Sequence, residues 1–105
     1  MDSFSTGGTL DEIAGQGVSL VDFGAPWCGP CKAQEPVIHK LAEKFKGLAE
    51  VKEVDIDHHR DLAMSLGIQS VPTLILFKDG REVQRLIGLQ NEAKLTQIIN
   101  AVLPR

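Results

Sequence analysis

The sequence predicts an α/β domain: a three-layer α/β/α arrangement with a central mixed β-sheet flanked by helices. Three observations carry that prediction. Residues 18–23 and 71–77 are short, nearly continuous apolar runs, as expected of strands buried on both faces. Between and after them, apolar residues recur at three- and four-residue spacing, the mark of helices with one buried face. An Asp-Gly pair, Asp79 and Gly80, follows the second run and signals a hairpin, so at least one strand pair is antiparallel.

Taken in order, Phe4 is placed to anchor a short strand that Gly7 and Gly8 end. Thr9 and Glu12 form a capping box for a short helix running toward Gly15 and Gly17. The strand at residues 18–23 follows. From Gly29 to about Lys46 a helix is predicted, with Val37, Ile38, Leu41, Phe45 and Leu48 on its apolar face and Lys40, Glu43, Lys44 and Lys46 mostly on the wet side. Pro36 lies within it and is expected to kink it, because proline lacks a donor and crowds the preceding turn. Residues 49–56 form a strand with poorer alternation. Asp57 is the predicted N-cap of a helix through Leu62, Ala63 and Leu66, closed by Gly67. Pro72 should sit at the start of the second apolar strand, where a missing donor does least harm. Residues 82–87 suit an antiparallel edge partner. Asn91 caps a last helix whose Leu95, Ile98, Ile99, Val102 and Leu103 keep the helical spacing.

At 105 residues the chain is expected to be a single domain spanning residues 1–105. Its 43% hydrophobic and 24% charged residues are ordinary for a globular protein. A net charge of −3 argues against nucleic acid as a partner, since phosphate binding needs a clustered basic surface. No run of 18 apolar residues spans a membrane, and the N-terminus lacks a basic and then apolar secretory pattern. The expected compartment is the cytoplasm, where a catalytic disulfide is more at home than a structural one. No long apolar surface stripe is left over, so the expectation is a monomer.

The chain holds two cysteines, Cys28 and Cys31, spaced C-x-x-C where a strand gives way to a helix. That placement marks a dithiol–disulfide redox site. Residues three apart at a helix start share a face, which brings their Cα atoms within the roughly 4.4–6.8 Å a disulfide needs. Gly29 permits close backbone approach, and Pro30 suits a first helical turn. Cys28 sits at the helix N-terminus, where free donors favour a thiolate, so it is the expected nucleophile. Cys31, one turn in, is expected to be better shielded and to resolve the mixed disulfide.

Asp22 is the other unusual residue, an acid within an apolar strand. It is either half-exposed or capping nearby backbone, or it is a buried acid with a raised pKa that takes the proton of Cys31. His39, His58 and His59 suggest a metal only weakly beside one C-x-x-C, and no metal is expected. No G-x-G-x-x-G occurs, so electrons must arrive from another protein.

Together, the string from Trp27 to Lys32 (Trp-Cys-Gly-Pro-Cys-Lys), Asp22 and Phe23, Pro36, Val71-Pro72-Thr73, the Asp79-Gly80 hairpin and Gly88 resemble the thioredoxin family over most of the chain. The resemblance implies the thioredoxin fold, with the first strand truncated. It implies a protein-disulfide reductase with no bound cofactor other than the redox-active Cys28–Cys31 disulfide, re-reduced by a separate thioredoxin reductase and acting on many disulfide-containing proteins. Cys28, Cys31 and Asp22 would be catalytic. Val71-Pro72 would be a cis peptide, and Trp27, Ser70, Val71, Pro72, Ile87 and Gly88 would line a shallow apolar substrate groove. Two positions depart from the pattern: Gly24, followed by Ala25 and Pro26, and Glu53, where many bacterial relatives place a lysine. Glu53 directed at Asp22 would raise the acid's pKa and keep it largely protonated near neutral pH. Beside a general reductase stand a reductant dedicated to one partner and a binding subunit that does not use its thiols.

Overall fold

The computed structural model describes residues 13–104. The strand expected at Phe4, the capping box of Thr9 and Glu12 and the truncated first strand all lie outside those residues. Ile13 and Ala14 are helical and buried.

Four strands, β1 (Val18–Gly24), β2 (Glu50–Asp55), β3 (Thr73–Lys78) and β4 (Arg81–Ile87), form one sheet in the order β2-β1-β3-β4. β1 is parallel to β2 and antiparallel to β3, and β3 is antiparallel to β4, so the sheet is mixed. The two apolar runs occupy its centre, where both faces of a strand are covered. β4 is an edge, which suits its polar positions. The hairpin between β3 and β4 turns at Asp79 and Gly80, with φ of +51° and +81°, and an Asp-Gly pair tolerates that left-handed backbone. Asp79 also ties the hairpin to the start of β1. Its Oδ1 accepts from the Gly17 N–H at 2.8 Å, and its own N–H donates to the Gly17 carbonyl at 2.9 Å.

Three helices pack on the sheet: α1 (Gly29–Lys44), α2 (Arg60–Ser65) and α3 (Glu92–Val102). Alternation along β1 divides the core. Val18 and Leu20 face Ile38, Leu41 and Phe45 together with Leu95, Ile98 and Ile99 of α3. Val21 and Phe23 face the opposite way, against Ile13, Val54 and Leu62. This gives the α/β/α layering that the periodicities predicted. Each fully buried leucine, isoleucine or phenylalanine contributes about 1.5–3 kcal/mol, the main force holding α1 against the sheet. Among the described residues no helix is long and apolar enough to cross a membrane.

Local rules fail at two helix ends. α1 continues through Pro36 but stops at Lys44. The chain then reverses at Gly47 (φ +82°), which leaves Leu48 64% exposed instead of on the apolar face predicted for it. Asp57 is not a helix cap. α2 starts at Arg60 behind His59, which makes no side-chain cap bond. Asp55 organises a tight turn first: its Oδ1 accepts from the Asp57 N–H at 2.9 Å and its carbonyl from the His58 N–H at 3.1 Å. By contrast Asn91 caps α3 as expected, its side chain accepting from the Lys94 N–H at 2.8 Å.

Candidate active site

β1 ends at Gly24, and the chain turns so that the Cys28 N–H donates to the Ala25 carbonyl at 3.2 Å. Cys28 then serves as the N-cap of α1 in an extended conformation, with Pro30 in the first turn, where its missing donor has no helical partner to lose. Cys28 and Cys31 are joined in a disulfide with their Cα atoms 5.2 Å apart. The Cys28 Sγ accepts from the Cys31 N–H at 3.1 Å. Sulfur thus takes the place that a Ser or Asp oxygen occupies in an ordinary cap. A thiolate there would be favoured by the helix end by about 0.3–1 kcal/mol, and up to roughly 2 kcal/mol in a partly buried setting.

The expected difference in shielding is absent as an area: Cys28 is 5% exposed and Cys31 6%. The two sulfurs differ in what they face. Cys28 Sγ lies 3.7 Å from the Val71 carbonyl oxygen. In the disulfide it has no proton to donate there, whereas the reduced thiol would have one. Cys31, but not Cys28, lines a pocket of about 300 Å³, together with Asp22, Gly24, Glu35 and Glu53. A Cβ on Gly24 would stand 3.2 Å from Cys31 Sγ, so glycine leaves the room that this sulfur occupies.

Asp22 is 4% exposed, and its Oδ1 is buried with no hydrogen-bond partner, which removes the half-exposed reading of this residue. The strand register places it beside Glu53 of β2. Burial chiefly, then the charges of Glu53 and Glu35, push its pKa from 3.8 up to about 7. Such a carboxyl is divided between its two forms at neutral pH, so the expected protonated acid dominates only on the acid side of neutrality. Glu35 was not singled out in the sequence, although its place one turn beyond Cys31 on α1 puts both on one helix face. Glu53 Oε1 is 2.9 Å from His39 Nε2, and His58 Nδ1 is 3.3 Å from Asp55 Oδ2. Among the described residues, no group of three or more His, Cys, Asp or Glu is arranged to hold a metal ion.

On the Cys28 side, the Val71–Pro72 peptide is cis. Val71 packs on Cys28, Cys31 and Ala25. Pro72 accepts the Gly88 N–H at 2.8 Å, which joins the 71–72 segment to the end of β4. Trp27 and Ile87 are strongly exposed, at 68% and 66%. Ser70 is exposed and contributes its carbonyl, which accepts from Thr73 Oγ1 at 2.7 Å. Two contacts between distant residues have no signal in the sequence. Asp57 Oδ2 accepts from the Trp27 indole Nε1–H at 2.9 Å, and the buried Gln34 holds the backbone of Gln90. The partners are 30 and 56 residues apart.

Comparisons with known proteins agree on one family. The Thioredoxin family profile matches residues 9–101. A thioredoxin from Staphylococcus haemolyticus is 40% identical over 95 residues, covering 90% of this chain and 91% of that protein. One from Staphylococcus aureus is 39% identical over the same length. A solved structure of a mutant thioredoxin from Halobacterium salinarum superposes with a TM-score of 0.79 at 42% identity, covering 86% of this chain and 78% of that one.

Proposed function

This chain belongs to the thioredoxin family and is a thiol–disulfide oxidoreductase, and we propose that Cys28 attacks, Cys31 resolves and Asp22 carries the proton. In the reduced protein the Cys28 thiolate attacks one sulfur of a target disulfide. The target S–S bond breaks, a Cys28–target bond forms, and the departing target sulfur takes up a proton. The Cys31 thiol then passes its proton to the Asp22 carboxylate, and the resulting thiolate attacks Cys28 Sγ. The Cys28–Cys31 disulfide forms, the Cys28–target bond breaks, and the second target sulfur leaves as a thiolate that takes the proton from Asp22. Two electrons have moved from this chain to the target; one of the two protons comes from Cys31 by way of Asp22, and the other comes from solvent, to which Cys28 gave its own on ionising. A thioredoxin reductase returns two electrons to restore the dithiol, and no bound cofactor is needed on this chain. The reaction belongs in the cytoplasm, where protein thiols are kept reduced.

One observation carries the assignment: Cys28 Sγ caps α1, while Cys31 shares its pocket with an acid whose pKa, about 7, suits it to both accept and donate a proton. Trp27, Ser70, Val71, Pro72, Ile87 and Gly88 form the face that receives the target. It is mostly apolar, and Val71 and Gly88 bring backbone groups to it, which suits an extended segment of varied sequence. Several unrelated protein partners are therefore expected rather than a single one.

The test is a pair of substitutions. With insulin as the disulfide substrate, Cys28→Ser should lower turnover by at least about 10³-fold because the nucleophile is gone. Cys31→Ser should accumulate a covalent mixed disulfide through Cys28, visible by mass spectrometry. A Cys28→Ser protein that trapped target as readily as Cys31→Ser would reverse the assignment.

A further inference from the structure

Gln34 is completely buried, yet the dithiol chemistry does not use it. It follows Cys31 by one turn on α1, among the buried positions Cys31, Ile38 and Leu41. A leucine would serve that face for packing alone. Both ends of the Gln34 amide are instead spent on one distant residue. Nε2 donates to the Gln90 carbonyl at 2.9 Å, and Oε1 accepts from the Gln90 N–H at 2.8 Å. The side chain thereby mimics a strand partner for Gln90.

Gln90 stands between the end of β4 and the Asn91 cap of α3. Its own Nε2 donates to the Gly88 carbonyl at 3.2 Å. Gly88 in turn donates its N–H to Pro72 at 2.8 Å, and the neighbouring Val71 carbonyl is 3.7 Å from Cys28 Sγ. A continuous set of contacts thus leaves the dithiol helix at Gln34, crosses residues 88–90 and returns to the dithiol through residues 71–72. It encloses the face lined by Ile87 and Gly88 on one side and by Cys28 and Val71 on the other.

We propose that Gln34 is a positioning residue for substrate recognition: it clamps residues 87–90 to the dithiol helix and sets the separation of the two groove walls. The ligand concerned is an extended polypeptide segment flanking the target cysteine, because such a segment spans both walls. A small disulfide touches the sulfur without spanning the groove and does not sense the clamp. The inference rests on the groove reading proposed above.

Gln34→Leu and Gln34→Met remove both hydrogen bonds while keeping a side chain of similar size, and the flexible methionine guards against a packing failure specific to leucine. Steady-state kinetics with insulin should show KM raised about 3- to 10-fold with kcat little changed, as loss of preorganisation at a binding surface predicts. The second-order rate with a small aromatic disulfide should stay within about twofold of the parent, since the nucleophile is untouched. Amide hydrogen exchange at Gly88 and Gln90 should accelerate. Ile98→Val, in α3, controls for lost stability and should leave KM alone. An unchanged insulin KM in both Gln34 variants overturns the clamp, and so does an equal loss with the small disulfide. Ile87→Asp reports on the groove separately. If it raises KM and the Gln34 variants do not, the clamp alone fails; if it leaves KM unchanged, the groove reading fails and the clamp with it.

Discussion

Against Cys28 of the disulfide lies the cis Val71–Pro72 segment, with the Val71 carbonyl 3.7 Å from Cys28 Sγ and the Pro72 carbonyl accepting from the Gly88 N–H. Cys31 instead shares a pocket with Asp22, Glu35, Glu53 and Gly24. The first region is apolar and uncharged at the sulfur. The second is acidic. The sulfurs themselves are almost equally buried, so accessible area does not tell them apart. Their surroundings do, and in the same sense from both directions. The N-terminus of α1 favours negative charge at Cys28, while the carboxylates behind Cys31 oppose it there. A disulfide reductase needs that inequality: one sulfur must be an anion before the target arrives, and the other must become one only after the mixed disulfide has formed.

The comparison is sharpest at Asp22, where the largest effect is expected. Asp22→Asn keeps the shape but removes the proton acceptor, and should slow resolution of the mixed disulfide by about 10- to 100-fold, measured by stopped-flow reaction with a target disulfide. A rate within twofold of the parent would separate the acidic pocket from the chemistry. The same residue has an opposite effect on stability. In the native protein it keeps its proton up to about pH 7, whereas its ordinary value is 3.8, so the folded chain binds the extra proton in that window. Stability from this group is complete below about pH 4 and is lost as pH rises through 7; the loss above pH 7 is on the order of 4 kcal/mol. Asp22→Asn should therefore be the more stable protein at pH 8, with the advantage shrinking toward pH 4 in urea unfolding of the oxidised forms. An advantage that grew on acidification would contradict a raised pKa.

Gly24 offers a smaller steric probe of the same side. A Cβ there would meet Cys31 Sγ at 3.2 Å and its Cβ at 3.3 Å. Gly24→Ala should cost about 1–3 kcal/mol in denaturant unfolding of the oxidised protein, through overpacking. Unchanged stability would mean that the sulfur shifts freely, and that the pocket side is softer than its close packing implies.

The smallest effect is expected at Trp27, which adjoins Cys28 in the chain. Asp57→Ala frees the Trp27 indole from its 2.9 Å hydrogen bond, which is worth about 0.5–1 kcal/mol at an exposed site. Stability should barely move, while the tryptophan emission, from the single Trp in the chain, should shift as its indole N–H turns to water. An unaltered spectrum would show that Asp57 does not hold the ring in place.

Much of this site is legible in the sequence, and for local reasons. The C-x-x-C spacing, its place at a helix start and the suitability of Pro30 are properties of six consecutive residues. Asp22 stood out because an acid inside an apolar run is anomalous by itself, and Glu53 because its position departed from the family pattern. The errors were also local rules applied where a distant contact prevailed. Asp57 looked like a helix cap but instead receives the Trp27 indole, because Asp55 had already organised the turn. Leu48 fitted the helical repeat, but the helix ends before it, at Lys44, and the chain reverses at Gly47. Gln34 carries no local signal in the sequence, because its partner Gln90 lies 56 residues away.

The linear chain alone determined the order of elements, the two reactive sulfurs and which of them caps the helix, because periodicity, turn residues and C-x-x-C spacing act over a few neighbours. Tertiary structure decided the rest: that Asp22 is buried beside Glu53 and Glu35 with its Oδ1 unpartnered, that Cys31 shares a pocket with those carboxylates, and that Val71 lies against Cys28 with Pro72 tied to Gly88. Those features come from strand register and from packing between segments far apart in sequence. Desolvation and charge proximity, which move the Asp22 pKa, have no value until that packing exists.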